Sequence, residues 1–280
     1  MKPGKSDNAQ TEPQRLGNSR RRAASSDQPN VERWEYSSPV DGRRDWALVR
    51  DGHDTTGRWV VVLHGHGATG DQIFTQEYLK QREREIAELG LGLLCPNLRG
   101  NAWMCPAAVD DLRFLLNLVR ERRGASQFVF CSGSMGGTGN LIYAIRHPED
   151  VAGVVALCPA TDIGGYCEWA ARSDLPVLQE IVAAIESSYG RERTMRQKEY
   201  AANSVVAHAS RLTMPLAIIH GDADPIIPVS QSRNLVRRLR EQNMQVWYKE
   251  IPGGDHNAPI PEFGAALLTV LDKIPRQERA

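Results

Sequence analysis

The sequence has no long apolar run, no excess of charge of either sign and few cysteines. No uninterrupted apolar stretch approaches the about 20 residues that a membrane-spanning helix needs. Lys and Arg together number 34, and so do Asp and Glu, so the formal net charge is zero at pH 7. A balanced chain has no general attraction to polyanions. We therefore expect neither a membrane nor a nucleic acid as a partner.

The cysteine pattern argues against a disulfide framework and against a metal site. The five cysteines are an odd number, and Cys95, Cys131 and Cys158 lie in or beside apolar, strand-like runs. Such positions are typical of buried, reduced thiols. An odd count without a secretory signal predicts a cytoplasmic location. No Cys-x-x-Cys or His-x-x-x-His spacing is present, so we expect no metal and no organic cofactor.

Residues 1–30 are polar and basic, with almost no large apolar side chains. Such a segment buries too little surface to offset its ordering entropy, so we predict a disordered tail. The cluster of Arg20, Arg21 and Arg22 would suit contact with nucleic acid or anionic lipid, whereas a solvated tail is the simpler interpretation.

From residue 31 onward, strand and helix patterns alternate. Residues 31–37 and 45–50 predict an antiparallel pair, with Asp41-Gly42 as the turn signal. Further strands are predicted at 59–63, 91–95, 128–131, 151–157, 216–219 and 246–251, and helices at 71–89, 106–123, 136–146, 230–242 and 262–273. This alternation predicts one α/β domain over 31–280, a mostly parallel sheet flanked by helices. Residues 162–200 break the rhythm and predict a short helical cap insertion.

Residues 131–137 read Cys-Ser-Gly-Ser-Met-Gly-Gly, after an apolar strand and at the start of a helix. A tight strand-to-helix turn of this kind exposes a serine hydroxyl above a sheet. Ser134 is therefore the candidate nucleophile. A turn that only packs or binds a phosphate is the alternative, because glycines at 136 and 137 would allow that too.

Three more loops, each after a predicted strand, supply what a serine nucleophile needs. The loop His64-Gly-His-Gly67 can turn the backbone N–H of His66 into the site, to form an oxyanion hole with the N–H of Met135. The imidazoles of His64 and His66 are interpreted as structural or pocket-lining. In parallel sheets, ligand sites lie at the carboxyl ends of the strands. Because each of these loops follows a strand, we expect them to meet at that edge of the sheet.

The remaining two loops carry an acid and a base. In His220-Gly-Asp-Ala-Asp-Pro225 two carboxylates compete; the spacing favours Asp224 as the partner of a histidine, and Asp222 as a brace of the turn. In Gly253-Gly-Asp-His256 the histidine is the candidate base. The chain order is Ser134, Asp224, His256.

This order and these loops resemble the α/β-hydrolase superfamily. More narrowly, residues 45–275 are similar to the prolyl-oligopeptidase-like and dienelactone-hydrolase-like serine carboxylesterases, which include acetyl xylan and feruloyl esterases. The resemblance implies ester hydrolysis by Ser134, Asp224 and His256. One position departs from the usual Gly-x-Ser-x-Gly, because Ser132 replaces the first glycine; Ser132 is a minor alternative for the nucleophile.

The substrate is expected to be a small-molecule ester with a short acyl group. The candidate pocket residues are Trp103, Tyr166 and Trp169. They are equally compatible with the core of the cap. Arg99 is expected to brace its loop. A peptidase of the same superfamily is one rival, although typical members carry a propeller for which this chain has no room. A non-hydrolytic binding protein on the same scaffold is the other. The oligomeric state stays open.

Overall fold

The computed structural model describes residues 30–190 and 192–275, so the predicted tail lies outside the described residues, apart from Asn30. The strands in this part are β1 (Val31–Ser37), β2 (Arg44–Arg50), β3 (Arg58–Val61), β4 (Gly92–Pro96), β5 (Gln127–Gly133), β6 (Gly153–Leu157), β7 (Leu216–Gly221) and β8 (Trp247–Ile251). They form one sheet in the order β1-β2-β4-β3-β5-β6-β7-β8. β2 is antiparallel to both neighbours and the other pairs are parallel, which confirms the predicted fold class.

Helices cover both faces of the sheet. They are α1 (Gln72–Thr75), α2 (Lys80–Glu88), α3 (Pro106–Arg123), α4 (Met135–Arg146), α5 (Ile163–Ala170), α6 (Pro176–Tyr189), α7 (Arg193–Ala202), α8 (Ser230–Glu241) and α9 (Phe263–Leu271), with single 3₁₀ turns at Glu77–Leu79, Pro148–Asp150, Ala209–Arg211 and Ile260–Glu262. In the described part of the chain, no helix combines the length and apolarity needed to cross a bilayer.

Alternate side chains of the central strands divide the core into two apolar clusters. On β5, Phe128 and Phe130 join the cluster that includes α3 and α4, whereas Val129 and Cys131 join the cluster that includes α2 and α9. All four side chains are fully buried. A parallel strand buried on both faces explains why β5 is a continuous apolar run in the sequence.

The helix predicted over 71–89 is broken in the structure. α1 ends at Thr75, Gln76 is extended at φ −89° and ψ 121°, and α2 begins only at Lys80. The side chain of Gln72 explains the interruption, because it accepts a hydrogen bond from the N–H of Gly65 (2.8 Å) and donates one to the hydroxyl of Tyr78 (3.1 Å). The break therefore ties this segment to the loop after β3.

The predicted cap insertion is occupied by α5, α6 and α7. Its own apolar side chains are buried against the core at Leu178, Ile181 and Ile185 of α6. The hydroxyl of Tyr189, at the end of α6, donates to the carbonyl of Trp103 at 2.8 Å. The cap is thereby joined to the loop that follows β4.

Candidate active site

Ser134 occupies the tight turn between β5 and α4. Its backbone has φ 58° and ψ −130°, a conformation that costs free energy in a residue other than glycine. The N–H of Ser134 donates to the carbonyl of Leu157 at 2.8 Å and so holds the turn to β6. Gly136 must be glycine, because a Cβ there would lie 2.3 Å from the carbonyl oxygen of Leu63. The strained turn lifts the Ser134 hydroxyl to the end of the strand.

The three residues of the predicted triad are joined by hydrogen bonds. The Nε2 atom of His256 lies 2.9 Å from the Oγ of Ser134, and its Nδ1 atom lies 2.7 Å from Oδ2 of Asp224. The other Asp224 oxygen accepts the amides of Ile226 (2.8 Å) and Ile227 (3.0 Å). The loops after β5, β7 and β8 thus bring a hydroxyl, a carboxylate and an imidazole into line.

Asp224 is buried and held in its charged form. Burial favours the neutral acid, but hydrogen bonds from His220 and His256 outweigh it and keep the pKa of Asp224 well below its usual range. His220, which sequence reasoning left without a role, is itself fully buried. Its Nε2 lies 2.8 Å from the carbonyl oxygen of Ile227 and 3.3 Å from Oδ2 of Asp224, and its Nδ1 lies 2.7 Å from the hydroxyl of Ser232. His220 therefore positions the acid of the triad.

The charge of Asp224 is felt by His256. Burial disfavours the imidazolium, but the hydrogen bond to Asp224, aided by the nearby Cys158, outweighs burial and raises the pKa of His256. The Cys158 thiol donates to the carbonyl oxygen of His256 at 3.3 Å. An imidazole in this setting is oriented toward Ser134, and its protonated form is stabilised.

Asp222, the competing carboxylate, lies on the turn and not in the hydrogen-bonded row. One of its oxygens accepts the N–H of Gly253 at 2.7 Å. The two loops also approach closely at Gly221, where a Cβ would lie 2.2 Å from the carbonyl oxygen of Gly254. Asp222 therefore fixes the loop of His256 against the loop of Asp224.

The loop after β3 is held by side chains on both sides of His66. The N–H of Gly65 donates to Gln72, and the N–H of Gly67 donates to Oδ1 of Asn101, each at 2.8 Å. Met135 is the first residue of α4, so its N–H has no partner within the helix. Within the described residues, the N–H groups of His66 and Met135 have no protein acceptor. Both remain free to donate to an oxyanion.

Ser132, the residue that departs from the usual pentapeptide, is buried and structural. Its hydroxyl accepts the N–H of Leu63 at 2.8 Å and donates to Oδ1 of Asn140 at 3.2 Å. Asn140 in turn donates to the carbonyl of Val155 at 3.1 Å. No hydrogen bond joins Ser132 to His256 in the part of the chain that the structure describes. The hydroxyl of Ser132, on β5, thus bonds to the segment after β3 and to α4.

A cavity of about 180 Å³ opens beside Ser134 and His256. Its walls come from the loop after β3, from α1 and α2, and from the segment after His256. Side chains in its lining include Tyr78, Arg82, Cys158, Asn257 and Ile260. All five of these were missed by sequence reasoning. The lining combines apolar and polar side chains, as ligand sites usually do.

The predicted pocket residues, all within the described range, lie outside this cavity. Trp103 is buried, donates from its indole to Nδ1 of His66 at 3.2 Å, and contacts the ring of Tyr166 at a centroid distance of 5.6 Å. Tyr166 is fully buried and stacks on the exposed Trp169. The three aromatic rings form the junction between cap and core. The sequence was equally compatible with this role in the core of the cap. His66, whose ring accepts the indole N–H of Trp103, is partly buried, and this burial lowers its pKa.

Sequence reasoning missed Arg82 because it lies in the charged segment 80–85, which looks like a solvated face. A signal was nevertheless present. Leu79, Arg82 and Ile86 have the three- and four-residue spacing of one helical face, and all three are buried. An arginine within an apolar stripe is the pattern that marks a buried cation.

Two groups of described side chains have donor atoms close enough to hold a metal ion: Cys158, Asp224 and His256, and His147, Glu149 and Asp150. In the first group His256 and Asp224 are hydrogen bonded to each other. A metal ion would therefore have to break the hydrogen bonds that join Asp224, His256 and Ser134. In the second group Asp150 is paired with Arg120 at 2.7 Å. Both groups are accounted for by protein contacts.

Comparison with known proteins places this site in a family of hydrolases. The chain is 43% identical to the esterase LipC of Mycobacterium tuberculosis over 54 residues, which is 19% of this chain and 13% of that protein. It is 25% identical to the monoacylglycerol lipase of Mycolicibacterium smegmatis, over 53% of this chain and 61% of that protein. The chain thus spans less than two thirds of the length of either relative.

Solved structures share the fold at low sequence identity. FphF, a fluorophosphonate-binding serine hydrolase of Staphylococcus aureus, has a TM-score of 0.64 at 17% identity, with 86% of this chain and 97% of that chain covered. A puromycin-hydrolyzing peptidase of Mycobacterium tuberculosis has a TM-score of 0.64 at 17% identity, with 91% of this chain and 42% of that chain covered.

The family described as Serine aminopeptidase, S33 (Hydrolase_4) matches residues 58–199 and 183–259. The matched region is more than half of the chain, and it contains Ser134, Asp224 and His256. The chain therefore belongs to this family of α/β-hydrolases.

Proposed function

We propose that the protein hydrolyses carboxylic esters of small molecules through an acyl-enzyme formed on Ser134. The observation that carries the proposal is the pair of hydrogen bonds from His256, 2.9 Å to Ser134 and 2.7 Å to Asp224. A serine hydroxyl is a weak nucleophile until a base lies within hydrogen-bond reach and a third group orients that base. This arrangement meets both conditions.

The proposed reaction begins when Nε2 of His256 takes the Ser134 proton as the hydroxyl oxygen attacks the ester carbonyl carbon. The carbonyl oxygen becomes an oxyanion, which the N–H groups of His66 and Met135 receive. One such donor is typically worth about 3 kcal/mol in the transition state. His256 then protonates the leaving alcohol, and water repeats the sequence to release the acid. Asp224 stays ionised and stabilises the imidazolium at each step.

The size of the cavity supports a small substrate. A cavity of about 180 Å³ lies beside Ser134, and an apolar cavity of about 150 Å³ is enough to hold benzene. A short acyl group or a single aromatic ring therefore fits. The esterase and lipase names of the two relatives agree with ester chemistry. We also propose a cytoplasmic location, which the buried free thiols of all five cysteines support.

A peptidase activity is the second candidate. The family description names an aminopeptidase, and one structural neighbour is a puromycin-hydrolyzing peptidase. The proposed machinery would also cleave an amide, because the same triad serves both reactions. Substrate binding decides between the two activities.

A fluorophosphonate probe followed by a substrate panel tests the proposal. The probe should label the wild-type protein and fail to label Ser134→Ala. Ser132→Ala removes the other hydroxyl of the same turn and is the matched control, which should still be labelled. Equal labelling of wild type and Ser134→Ala would refute the assignment of the nucleophile. Nitrophenyl esters should then be cleaved faster than aminoacyl nitroanilides; the reverse order would establish the peptidase.

A further inference from the structure

A buried arginine lies in the wall of the cavity that contains Ser134. Arg82, on α2, is only 8% exposed and lines this cavity. Its guanidinium carbon lies 4.7 Å from the centroid of the Phe263 ring, at the start of α9. This stacking covers one face of the guanidinium. The N–H groups lie in the plane of the guanidinium and are not covered by this stacking.

Arg82 forms no ion pair among residues 30–190 and 192–275, although the charge of Glu85 acts on it at longer range. Its Nε is buried without a hydrogen-bond acceptor. Glu85, the acidic residue one turn further along α2, accepts from Gln81 at 3.0 Å, and its carboxylate packs against Gly264. Buried cations are normally paired, because an isolated charge in a protein interior is costly.

The residues that line the cavity do not compensate the charge of Arg82. The described residues around the cavity include no Asp or Glu, and Arg82 is the single Arg or Lys among them. Burial lowers the pKa of Arg82, yet an arginine keeps its proton in proteins. The cavity therefore holds one permanent positive charge and no carboxylate of its own.

The guanidinium shares its cavity with the proposed reacting groups. Cys158, whose thiol donates to the carbonyl oxygen of His256, also lines this cavity. Ser134, His256 and Arg82 thus line one partly open cavity. An ester bound at Ser134 would occupy a cavity whose wall includes the guanidinium.

We propose that Arg82 binds a carboxylate of the substrate, so that the preferred substrates are esters that carry one carboxylate group. The inference rests on the proposed ester hydrolysis at Ser134. A guanidinium matches a carboxylate with two parallel hydrogen bonds. One isolated arginine balances a monoanion, whereas a phosphate monoester would bring up to two charges into the same cavity.

Matched ester pairs test the proposal without any change at Arg82. On the acyl side, mono-4-nitrophenyl succinate is compared with 4-nitrophenyl butyrate. On the alcohol side, 3-carboxy-4-nitrophenyl butyrate is compared with the same neutral ester. Ser134→Ala supplies the background, since the succinate half-ester also hydrolyses unaided. The wild type should show at least 10-fold higher kcat/KM for the carboxylated ester of one pair, and that pair identifies the side of the ester bond on which the anion binds.

Arg82 variants then assign the preference to this residue. In Arg82→Met, which keeps an aliphatic side chain against Phe263, the ratio of kcat/KM between carboxylated and neutral ester should fall about 100-fold. Arg82→Lys keeps the charge but cannot form two parallel hydrogen bonds to a carboxylate. Its ratio of kcat/KM should lie between those of wild type and Arg82→Met. Arg84→Met changes an exposed arginine of the same helix and should leave the ratio within twofold of wild type. Thermal unfolding shows that each variant is folded.

Two outcomes would overturn the inference. One is a wild type that prefers the neutral ester in both pairs, and the other is an Arg82→Met ratio equal to that of wild type. If Ser134 still reacts with fluorophosphonate and neutral esters are still hydrolysed, the ester-hydrolase proposal survives and only the role of Arg82 is refuted. If no ester is hydrolysed and Ser134 is not labelled, both proposals are refuted together.

Discussion

Ser132 and Ser134 are two residues apart in one turn, and their surroundings give them different tasks. The hydroxyl of Ser134 lies 2.9 Å from His256. The hydroxyl of Ser132 is bonded to Leu63 and Asn140. Successive side chains alternate in direction along a strand, but the chain leaves β5 at Ser134, whose backbone forms the tight turn into α4. Ser134 is therefore available for the proposed chemistry, whereas Ser132 satisfies a buried amide.

We predict that Ser132→Ala destabilises the protein while Ser134 stays reactive. The substitution leaves the N–H of Leu63 buried without an acceptor, which costs about 1–3 kcal/mol in the free energy of unfolding. Urea unfolding measures the loss. Ser210→Ala, at an exposed position, is the control and should change stability by no more than about 0.5 kcal/mol. A Ser132→Ala protein as stable as wild type would contradict this account of the departure from glycine.

The pH dependence of ester hydrolysis should follow His256. The base must be neutral to accept a proton, and the pKa of His256 is raised above its ordinary value. Activity is therefore low when the imidazole is protonated, and kcat/KM should rise with pH along a limb centred above about 6.5. Replacing Asp224 with Asn removes the charge that stabilises the imidazolium, so this limb should move to lower pH while kcat falls by about 10⁴.

The measurement is kcat/KM for a nitrophenyl ester between pH 5 and 10, for wild type and Asp224→Asn. Asp222→Asn is the control from the same loop; its side chain accepts the N–H of Gly253, and the limb should stay where it is in wild type. If kcat/KM of Asp224→Asn rises over the same pH range as that of wild type, Asp224 is not the partner of His256.

At the residue scale, the triad was predictable and the cavity lining was not. Ser134, Asp224 and His256 each stand in a short glycine-containing loop after an apolar strand, so the local sequence alone marks them. The positions of Trp103 and Tyr166 depend on how the cap packs on the core, which no local pattern encodes. Arg82 was missed because the charged segment 80–85 hides its spacing from Leu79 and Ile86, and the ring of Phe263 on α9 lies against its guanidinium.

At the scale of elements, the loop of His66 depends on the loop that follows β4. Asn101 accepts the N–H of Gly67 at 2.8 Å, and the carbonyl oxygen of Asn97 lies 3.0 Å from the Nε2 of His64. A backbone donor stabilises an oxyanion only if its direction is fixed before the reaction. The segment around Asn101 therefore positions the proposed oxyanion hole.

We predict that Asn101→Ala lowers kcat for ester hydrolysis by about 10-fold, with KM within twofold of wild type. Loss of the acceptor frees Gly67 and loosens the neighbouring amide of His66, whose hydrogen bond matters most in the transition state. Asn101→Asp keeps an acceptor oxygen and should restore most of kcat. A rise in KM with unchanged kcat would show instead that Asn101 acts on substrate binding.

A helix can be predicted from the sequence when the residues that begin and end it lie at its own termini. The helix over Pro106–Arg123 was predicted at its observed bounds, because Pro106 begins it and Gly124, at φ 66°, ends it. The predicted helix over 71–89 failed at Gln76, because the interruption comes from the bonds of Gln72 to Gly65 and Tyr78. Local signals define the first helix, and distant partners divide the second.

At the scale of the whole molecule, the sheet order brings distant segments to one edge. β5 ends at Gly133 and β8 begins only at Trp247, yet their carboxyl ends lie at the same edge because β5, β6, β7 and β8 are neighbouring parallel strands. The regular alternation of strands and helices predicts this convergence, since ligand sites of such sheets lie at the carboxyl ends of strands. What the alternation does not predict is how the peripheral hairpin is fastened to that edge.

Arg99 provides that fastening. Its Nε donates to Asp111 of α3 at 2.6 Å, and its other nitrogens donate to Ser38 and Asp41 in the turn between β1 and β2, at 2.6–2.9 Å. The side chain of Asp111 is fully buried, and that of Arg99 is 9% exposed. The role expected of Arg99 as a brace thus extends from its own loop to the hairpin and to α3.

We predict that Asp111→Ala lowers the free energy of unfolding by about 3 kcal/mol, because removing one partner of a buried ion pair leaves the other charge incompletely compensated. The loss should be smaller than for a wholly unpaired arginine, since Asp41 remains. Urea unfolding measures it. Asp110→Ala, at the exposed neighbouring position of α3, controls for helix propensity and should change stability by no more than about 0.5 kcal/mol. Equal stability of the two variants would mean that the hairpin is held by its apolar contacts alone.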